Sequence, residues 1–219
     1  PRTGRGSSGC CARVRGRRLA VVCGDDVLCE RDPKHDEVNV VEGRPRRTAL
    51  YRSNLRGLAE PVVANVSHLF VVLAPKPVPD LFVVDRYVAA AHSASITATL
   101  VLNKRDLPME AELAEALAAY DRAGYQTIAC SARSGDGIDV LIERAANNVA
   151  ALVGQSGVGK SSLVRRLVPA AEVEVGELVR EEEGRHTTTT SRMFDLPHGG
   201  HLIDSPGVRD FAPAIDQLD

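Results

Sequence analysis

A glycine-rich segment reads GQSGVGKS at residues 154–161 and matches the phosphate-loop pattern G-x-x-x-x-G-K-[ST]. The apolar run 149–153 before it predicts a strand, and residues 161–167 after it predict a helix. Glycines let backbone N–H groups curl around a phosphate without Cβ clashes, and the helix N-terminus adds partial positive charge. The segment therefore predicts a nucleoside triphosphate site; the alternative interpretation is a glycine-rich turn that caps a helix.

Within this loop, Lys160 is expected to neutralise the β- and γ-phosphate oxygens, and the Ser161 hydroxyl is expected to bind Mg²⁺. Magnesium bound with the nucleotide is the cofactor that this chemistry requires. The predicted phosphate-binding residues are Gly154, Gln155, Ser156, Gly157, Val158, Gly159, Lys160, Ser161 and Ser162.

The chain around the loop, from about residue 59 onward, alternates predicted strands with predicted helices. The predicted strands are Leu69–Ala74, Thr99–Leu102, Thr127–Cys130, Val149–Val153, Met193–Leu196 and His201–Ile203. Helical spacing of apolar residues follows Pro79, spans Glu110–Ala123 and recurs over 138–145. This alternation predicts an α/β fold whose doubly wound parallel sheet carries helices on both faces.

A first motif at a predicted strand end, Asn103-Lys104-Arg105-Asp106, indicates which base the site accepts. In this N-K-x-D arrangement the Asp106 carboxylate accepts hydrogen bonds from guanine N1–H and from the exocyclic amino group. Adenine lacks that donor pair, so adenine would leave the carboxylate unpaired. We expect Asn103 to brace the loop and Lys104 to cover the base plane.

A second motif, Ser131-Ala132-Arg133, also lies at a predicted strand end. Its Ala132 N–H is expected to meet guanine O6. Each motif alone is also typical of an ordinary exposed turn, but together with the phosphate loop they predict a guanine nucleotide.

The segment DSPG at residues 204–207 follows a predicted strand and forms a D-x-x-G motif. Asp204 is expected to hold Mg²⁺ through water, and the Gly207 N–H is expected to sense the γ-phosphate. Upstream, the run RHTTTT at residues 185–190 carries threonines that would ligate Mg²⁺ when the γ-phosphate is present, as in a switch. The candidate ligands there are Thr188 and Thr189. The alternative for the threonine run is an exposed strand.

The order of these motifs is unusual, because both base-reading motifs precede the phosphate loop and the switch motifs. This order is a circular permutation of the Ras-like P-loop GTPase domain, predicted here over residues 59–219. Permutation is physically tolerable because domain termini often lie close together at the surface.

The first 58 residues differ in charge and pattern from the remainder. They carry 13 Lys and Arg against 7 Asp and Glu, a net charge of +6, whereas residues 59–219 have a net charge of −8. The predicted short strands are Cys11–Val14, Leu19–Val22, Val38–Val41 and Thr48–Tyr51. They predict a small OB-like β-barrel that binds RNA phosphates; a solvated basic face is the alternative.

Composition fits a soluble globular protein, with 44% apolar and 26% charged residues. No run of 18 apolar residues and no secretory signal is visible. Five cysteines without paired zinc spacing indicate reduced thiols and a cytoplasmic protein. They are Cys10, Cys11, Cys23, Cys29 and Cys130.

The motifs GQSGVGKSS, RHTTT, DSPGV and NKRDL, in permuted order behind a basic β-rich segment, resemble the bacterial GTPases that depend on the small ribosomal subunit. The resemblance covers roughly residues 10–215. It implies an OB-fold domain, a permuted G domain that uses Mg²⁺, and GTP hydrolysis stimulated by the 30S subunit late in its assembly. The expected partners are 16S rRNA and the 30S subunit, and the protein is expected to be a monomer.

The same resemblance implies a C-terminal zinc-binding domain with a Cys/His cluster. The five cysteines of this sequence do not supply that cluster, so zinc ligands are not expected within these 219 residues.

Hydrolysis is expected to be slow without a partner. Ras-like enzymes place a Gln after D-x-x-G to orient the attacking water, whereas this sequence has Val208. Valine forms no hydrogen bond to water, so His186 is the catalytic candidate for positioning it, and an ordinary exposed histidine is the alternative.

Two other function classes fit parts of the pattern. One is a GTP-dependent RNA-binding module with negligible hydrolysis. The other is a P-loop kinase of small molecules, which would need neither base-reading motif.

Overall fold

The computed structural model describes residues 12–14, 20–32, 37–53, 57–169 and 191–205. The strands in these ranges are β1 (Ala12–Val14), β2 (Val27–Asp32), β3 (Glu37–Gly43), β4 (Ala49–Ser53), β5 (Ala59–Ala64), β6 (His68–Leu73), β7 (Thr97–Leu102), β8 (Thr127–Ala129), β9 (Val149–Val153), β10 (Arg192–Asp195) and β11 (His201–Asp204). The helices are α1 (Leu81–Ser93), α2 (Ala111–Arg122), α3 (Ile138–Ala145) and α4 (Lys160–Leu167). Within the described ranges, every helix is too short or too polar to cross a bilayer.

A six-stranded sheet in the order β10-β11-β9-β6-β7-β8 forms the centre of the molecule. Neighbouring strands run parallel except for β10, which is antiparallel to β11. All six residues of β6 are buried, as expected for a parallel sheet covered on both faces. The predicted α/β sheet is confirmed, although β7 begins at Thr97, two residues earlier than its apolar pattern indicated.

Alternate residues of β6 point to opposite faces of the sheet, and each face has its own core. Leu69 and Val71 pack in the core that α1 and α2 cover, which includes Tyr87 and Leu117. Phe70 and Val72 pack in the second core, which α3 and α4 cover with Leu141, Leu163 and Leu167. Helices on both faces make the sheet doubly wound and leave its carboxyl edge for loops.

The described N-terminal strands form two small sheets. One has the order β1-β3-β2, in which β3 runs parallel to β1 and antiparallel to β2. The other is the antiparallel pair of β4 and β5. The domain boundary predicted between residues 58 and 59 falls between these two paired strands, with β4 before it and β5 after it. The closed OB-like barrel stays a prediction.

Two details of the N-terminal prediction were wrong. The strand predicted over 19–22 is absent from its described part, residues 20–22, because the chain turns there. The Asp25 carboxylate accepts a hydrogen bond from Val22 N at 2.8 Å, which is turn chemistry and not a strand ladder. Two strands, β2 and β5, were not predicted. The pairing of β2 with β3 orders its charged residues, and β5 continues through a turn into β6.

The N-terminal strands join the central sheet through a turn at Asn65. Asn65 has φ 56° and is buried; its amide donates to the Gly24 carbonyl at 2.8 Å and accepts from Arg47 N at 2.8 Å. A Cβ on Gly24 would overlap the Ala64 carbonyl oxygen and lie 3.2 Å from Ile203 Cδ1. The turn around Gly24 is therefore packed against β11.

An ion pair holds the same turn. Arg46 donates to both carboxylate oxygens of Asp25, at 2.6 and 2.8 Å. Burial acts to raise the pKa of Asp25, but the Arg46 guanidinium and the Val22 N–H hold that pKa below its ordinary value. The carboxylate is therefore charged at neutral pH and fixes the turn.

Candidate nucleotide-binding site

The glycine-rich loop leaves β9 at the carboxyl edge of the sheet, between β6 and β11, and enters α4. Two of its glycines have no room for a side chain. Gly154 has φ 142°, and a Cβ there would overlap the Val72 carbonyl oxygen of the neighbouring strand. Gly159 has φ 97°, and a Cβ there would overlap Asn103 Nδ2. The loop can therefore curl tightly only with glycine at these positions.

Lys160 is the first residue of α4, and its side chain folds back into the loop. Its Nζ donates to the carbonyls of Gly154 at 2.5 Å and Gln155 at 2.9 Å, and the residue is 7% exposed. A cation is thus held inside the curl of backbone at a helix N-terminus. This arrangement suits an anion with several oxygens, such as a polyphosphate.

Asn103 connects three loops of the site. It is 1% exposed, and its Nδ2 donates to the Val158 carbonyl of the glycine-rich loop at 2.8 Å. Its Oδ1 accepts from Ala132 N at 3.0 Å, and its own N–H donates to the Leu73 carbonyl at 2.8 Å. One buried amide therefore holds the two base-reading motifs and the phosphate loop in a fixed relation.

Asp106 lies at the exposed rim of this arrangement, beside the fully buried Ser131. The Ser131 hydroxyl donates to Asp106 Oδ1 at 2.7 Å and accepts from Ser134 N at 3.2 Å. The hydrogen bond from Ser131 lowers the pKa of Asp106, with smaller contributions from the charges of Arg133 and Lys104. Asp106 is therefore an ionised acceptor with one oxygen oriented by Ser131.

Lys104 extends along the glycine-rich loop. Its φ is 59°, and its Nζ donates to the Gly157 carbonyl at 2.7 Å and to the Lys76 carbonyl at 2.8 Å. The neighbouring Arg105 pairs with Asp136 at 3.2 Å. Of these two motif residues, Lys104 contacts the phosphate loop, whereas Arg105 Nη1 pairs with the side chain of Asp136.

Two contacts of the site were missing from the sequence-based prediction. Arg166 of α4 donates to the carbonyls of Ala132 and Arg133. Asp80, which caps α1, donates its N–H to Gln155 Oε1 at 3.1 Å. Neither contact has a local sequence signal, because each joins residues far apart in the chain.

The Ala132 N–H, which is predicted to meet guanine O6, has an acceptor within the protein. In this structure the Ala132 N–H donates to Asn103 Oδ1. A base oxygen would share this N–H or use a neighbouring one in the same loop.

The expected metal-binding side of the site is described in part. Asp204 is the last residue of β11, and Ser161 is the second residue of α4. Because β11 runs parallel to β9, with Ile203 paired to Ala151, both residues lie at the carboxyl edge of the sheet. A hydroxyl and a carboxylate are hard oxygen donors, which fit Mg²⁺ completed by phosphate oxygens and water. The other predicted residues, His186, Thr188, Thr189 and Gly207, lie outside the described residues, as does Val208.

Zinc does not fit the part of the chain that is described. No group of three or more His, Cys, Asp or Glu side chains converges within those ranges. The cysteines among them, Cys23, Cys29 and Cys130, are free thiols. Burial raises the pKa of Cys130 to about 11, which keeps this thiol protonated at neutral pH.

The strand–loop–helix with its buried lysine, joined by Asn103 to two base-reading loops that precede it in the chain, defines a circularly permuted P-loop GTPase domain. Residues 43–213 match the family model described as RsgA GTPase. This chain belongs to the RsgA GTPase family.

Relatives and solved structures agree with that assignment. The "Small ribosomal subunit biogenesis GTPase RsgA" of Azotobacter vinelandii is 44% identical over 207 residues, covering 93% of this chain and 60% of the relative. The protein of the same name from Pseudomonas aeruginosa (strain LESB58) is 45% identical over 202 residues, covering 90% of this chain and 59% of the relative. The chain thus spans about three fifths of the length of these curated relatives.

Among solved structures, YjeQ from Thermotoga maritima superimposes with a TM-score of 0.66 at 26% identity, covering 90% of this chain and 66% of that one. YloQ, described as a circularly permuted GTPase, has a TM-score of 0.62 at 21% identity and covers 93% of this chain and 64% of that one. The second likeness concerns the fold alone. The predicted circular permutation is confirmed by these comparisons.

Proposed function

We propose that this chain binds GTP with Mg²⁺ and hydrolyses it to GDP and phosphate during late maturation of the 30S ribosomal subunit. Family membership supports the GTPase activity, and the relatives' name supports the ribosomal role. The observation that carries the proposal is the Asn103 side chain, because it holds phosphate loop and base-reading loops together.

Guanine selectivity is proposed to come from Asp106. Its ionised carboxylate would accept from N1–H and the 2-amino group, with Ser131 orienting one oxygen at 2.7 Å. Adenine presents an acceptor and no amino group at those positions, so it would repel the carboxylate. Lys104, already held along the loop by Gly157, is proposed to cover the base plane with its stem.

Hydrolysis adds water to the γ-phosphorus and breaks its bond to the β–γ bridging oxygen. Lys160 and the loop N–H groups would stabilise the charge that grows on the phosphate oxygens. Magnesium, held through Ser161, Asp204 and Thr188 or Thr189, would neutralise the β- and γ-phosphates when bound. His186 is proposed to orient water, since Val208 follows the D-x-x-G motif without a polar group, and Gly207 N–H is proposed to meet the γ-phosphate.

The small subunit is the proposed partner and the proposed source of stimulation. Residues 1–58, with their net charge of +6, are proposed to form the OB-like domain that contacts phosphates of 16S rRNA, and 59–219 the G domain. The chain is proposed to act as a monomer in the cytoplasm, where ribosomal subunits mature. Because the rRNA contact is electrostatic, binding should weaken steeply with salt.

A direct test is competition of GTP, GDP, ATP and ADP for the purified chain, followed by single-turnover phosphate release with and without 30S subunits. Preference for guanine nucleotides and faster release with 30S subunits support the proposal. Guanine binding without release in either condition indicates a GTP-dependent binding module instead. Preference for ATP with phosphate transfer to a small acceptor indicates a P-loop kinase.

A further inference from the structure

Arg166 links the phosphate-binding helix to a base-reading loop. Its Nε donates to the Ala132 carbonyl at 2.8 Å, and its Nη2 donates to the Arg133 carbonyl at 3.0 Å. Arg166 lies in the last turn of α4, the helix that begins at Lys160. The guanidinium therefore binds two successive carbonyls of the other loop with two of its donors.

An arginine in the last turn of a helix is ordinarily explained by the partial negative charge of its own helix end. Here the hydrogen bonds to Ala132 and Arg133 leave the helix, and the planar guanidinium matches these two neighbouring carbonyls. Each bond fixes a peptide plane, and in a trans peptide the N–H of the next residue points opposite to the fixed carbonyl. The contact thus sets the directions of the N–H groups of Arg133 and Ser134.

The same loop is held from its other side by Asn103, whose Oδ1 accepts from Ala132 N at 3.0 Å. Ser131 in turn orients Asp106 at 2.7 Å. Asn103 accepts from the Ala132 N–H and Arg166 donates to the Ala132 carbonyl, so the peptide units on both sides of Ala132 are held. Asp106 is oriented chiefly by the Ser131 hydroxyl. The Ser131 hydroxyl accepts from Ser134 N, which shares a peptide with the Arg133 carbonyl, but Ser131 is also held by its own N–H, which donates to the Asp136 carbonyl at 2.8 Å. The 2-amino side of base recognition therefore depends less on Arg166 than the O6 side.

We propose that Arg166 is a positioning residue for guanine recognition, which holds the loop 131–133 so that its N–H groups meet purine O6. This inference rests on the proposed function, since it requires guanine in the site. Arg166 acts through the backbone of Ala132 and Arg133 and does not touch the base. Its removal weakens the contact with O6 more than the contact with Asp106.

The adjacent Arg165 is a matched control. It carries the same charge on the same turn of α4, and its Nη2 lies 3.5 Å from Ser162 Oγ within that helix. Arg165→Met removes one positive charge from the last turn of α4, as Arg166→Met does, but leaves both carbonyl contacts of the loop in place. A long-range effect of charge therefore acts on both variants alike.

The experiment measures by calorimetry the binding of GDP, 6-thio-GDP and IDP, with Mg²⁺, to the wild-type chain and to the Arg166→Met, Arg166→Lys and Arg165→Met variants. Sulfur at position 6 weakens the acceptor that the loop meets, while N1–H and the 2-amino group remain. IDP keeps O6 and lacks the 2-amino group that Asp106 meets. The three ligands carry the same phosphates, so phosphate effects cancel in their ratios.

In the wild-type chain both analogues should bind more weakly than GDP. Arg166→Met should bind GDP about tenfold more weakly than the wild type, because about one hydrogen bond to the base is lost. Its preference for GDP over 6-thio-GDP should shrink towards one, and its preference for GDP over IDP should change much less. Arg166→Lys should restore part of the first preference, and Arg165→Met should resemble the wild type.

The inference is overturned if Arg166→Met weakens all three ligands by the same factor, or if Arg165→Met reproduces its pattern. If Arg166→Met does not fold, the Arg166→Lys ratios decide: an unchanged 6-thio-GDP preference refutes the inference. A wild-type chain that binds ADP as well as GDP would instead refute the proposed function, so the two failures are distinguishable.

Discussion

Gly159 faces the side-chain amide of Asn103 so closely that any Cβ on the glycine would overlap Asn103 Nδ2. The two residues come from different motifs, and the amide reaches past Gly159 to the Val158 carbonyl at 2.8 Å. The phosphate loop and the base-reading loop therefore share one contact surface.

The Cβ of Gly159→Ala should displace the Asn103 side chain, whose buried hydrogen bonds with the Val158 carbonyl and the Ala132 N–H would be lost. We expect a destabilisation of about 2–4 kcal/mol and a large loss of GDP affinity, measured by urea unfolding and calorimetry. The matched control is Gly157→Ala, whose φ is 82° and whose added Cβ would lie 3.5 Å from Pro77. It should cost about 1 kcal/mol, from backbone strain alone. Equal costs for the two variants would contradict this account.

Asp106→Asn should exchange base preference. The amide oxygen can still accept from N1–H, but the amide NH2 then faces the 2-amino group of guanine, donor against donor, so GDP affinity should fall at least ~100-fold. Xanthosine diphosphate, which has an acceptor oxygen at position 2, should gain affinity. Asp136→Asn removes a carboxylate that pairs with Arg105 at 3.2 Å and serves as the control for charge. Retained GDP selectivity in Asp106→Asn, measured by competition, would remove Asp106 from the base site.

His68 should make the fold less stable in mild acid. Burial, with a smaller effect of Arg144, lowers the pKa of His68 to about 4, below its ordinary value of about 6.5. Above pH 6.5 the imidazole is neutral in both states; as pH falls towards 4, the unfolded chain binds the proton first, and stability is lost. We expect a loss of about 1–2 kcal/mol at pH 5 relative to pH 7.5.

Urea unfolding at the two pH values checks this expectation, with His68→Gln as the control. The glutamine does not titrate and retains a polar partner for Thr99, which contacts His68 at 2.9 Å. The variant should lose less stability on acidification than the wild type. Parallel losses would show that other groups determine the acid response.

Gly24→Ala should strain the junction between the N-terminal strands and the sheet. The new Cβ would overlap the Ala64 carbonyl and press on Ile203, with an expected cost of about 2–4 kcal/mol by urea unfolding. Gly57→Ala is the control, because Gly57 also has a positive φ, of 73°, but open space around it. The control should cost about 1 kcal/mol. A cost for Gly24→Ala no larger than for Gly57→Ala would contradict the packing described here.

The central sheet was predictable because its strands are buried on both faces and form continuous apolar runs. β6 and β9 show this pattern plainly, and the glycine-rich loop after β9 identifies its own position in the fold. The permuted order was also readable, because the two base-reading motifs and the phosphate loop each follow a strand of the same parallel sheet.

The N-terminal strands were harder to predict, because they are defined by their pairing with neighbouring strands and show little apolar periodicity. β2 (VLCERD) ends in three charged residues, and β5 contains Pro61 at its pairing with Tyr51. In the site, sequence motifs indicate which residues gather but not which carbonyls they meet. The contacts of Arg166 depend on tertiary distances, so local sequence carries no sign of them. The N-K-x-D motif indicated a bracing role for Asn103 but not its partners Val158 and Ala132.

The pairing of β4 with β5 bears on how this molecule can be dissected in the laboratory. Severing the chain after Leu58 would strip β5 of its antiparallel neighbour and uncover Val63, which is now fully buried, together with the face of Ile203 beneath Gly24. A GTPase fragment that begins at Ala59 would expose an unpaired apolar strand edge, which favours aggregation. A fragment intended to stay soluble should retain β4.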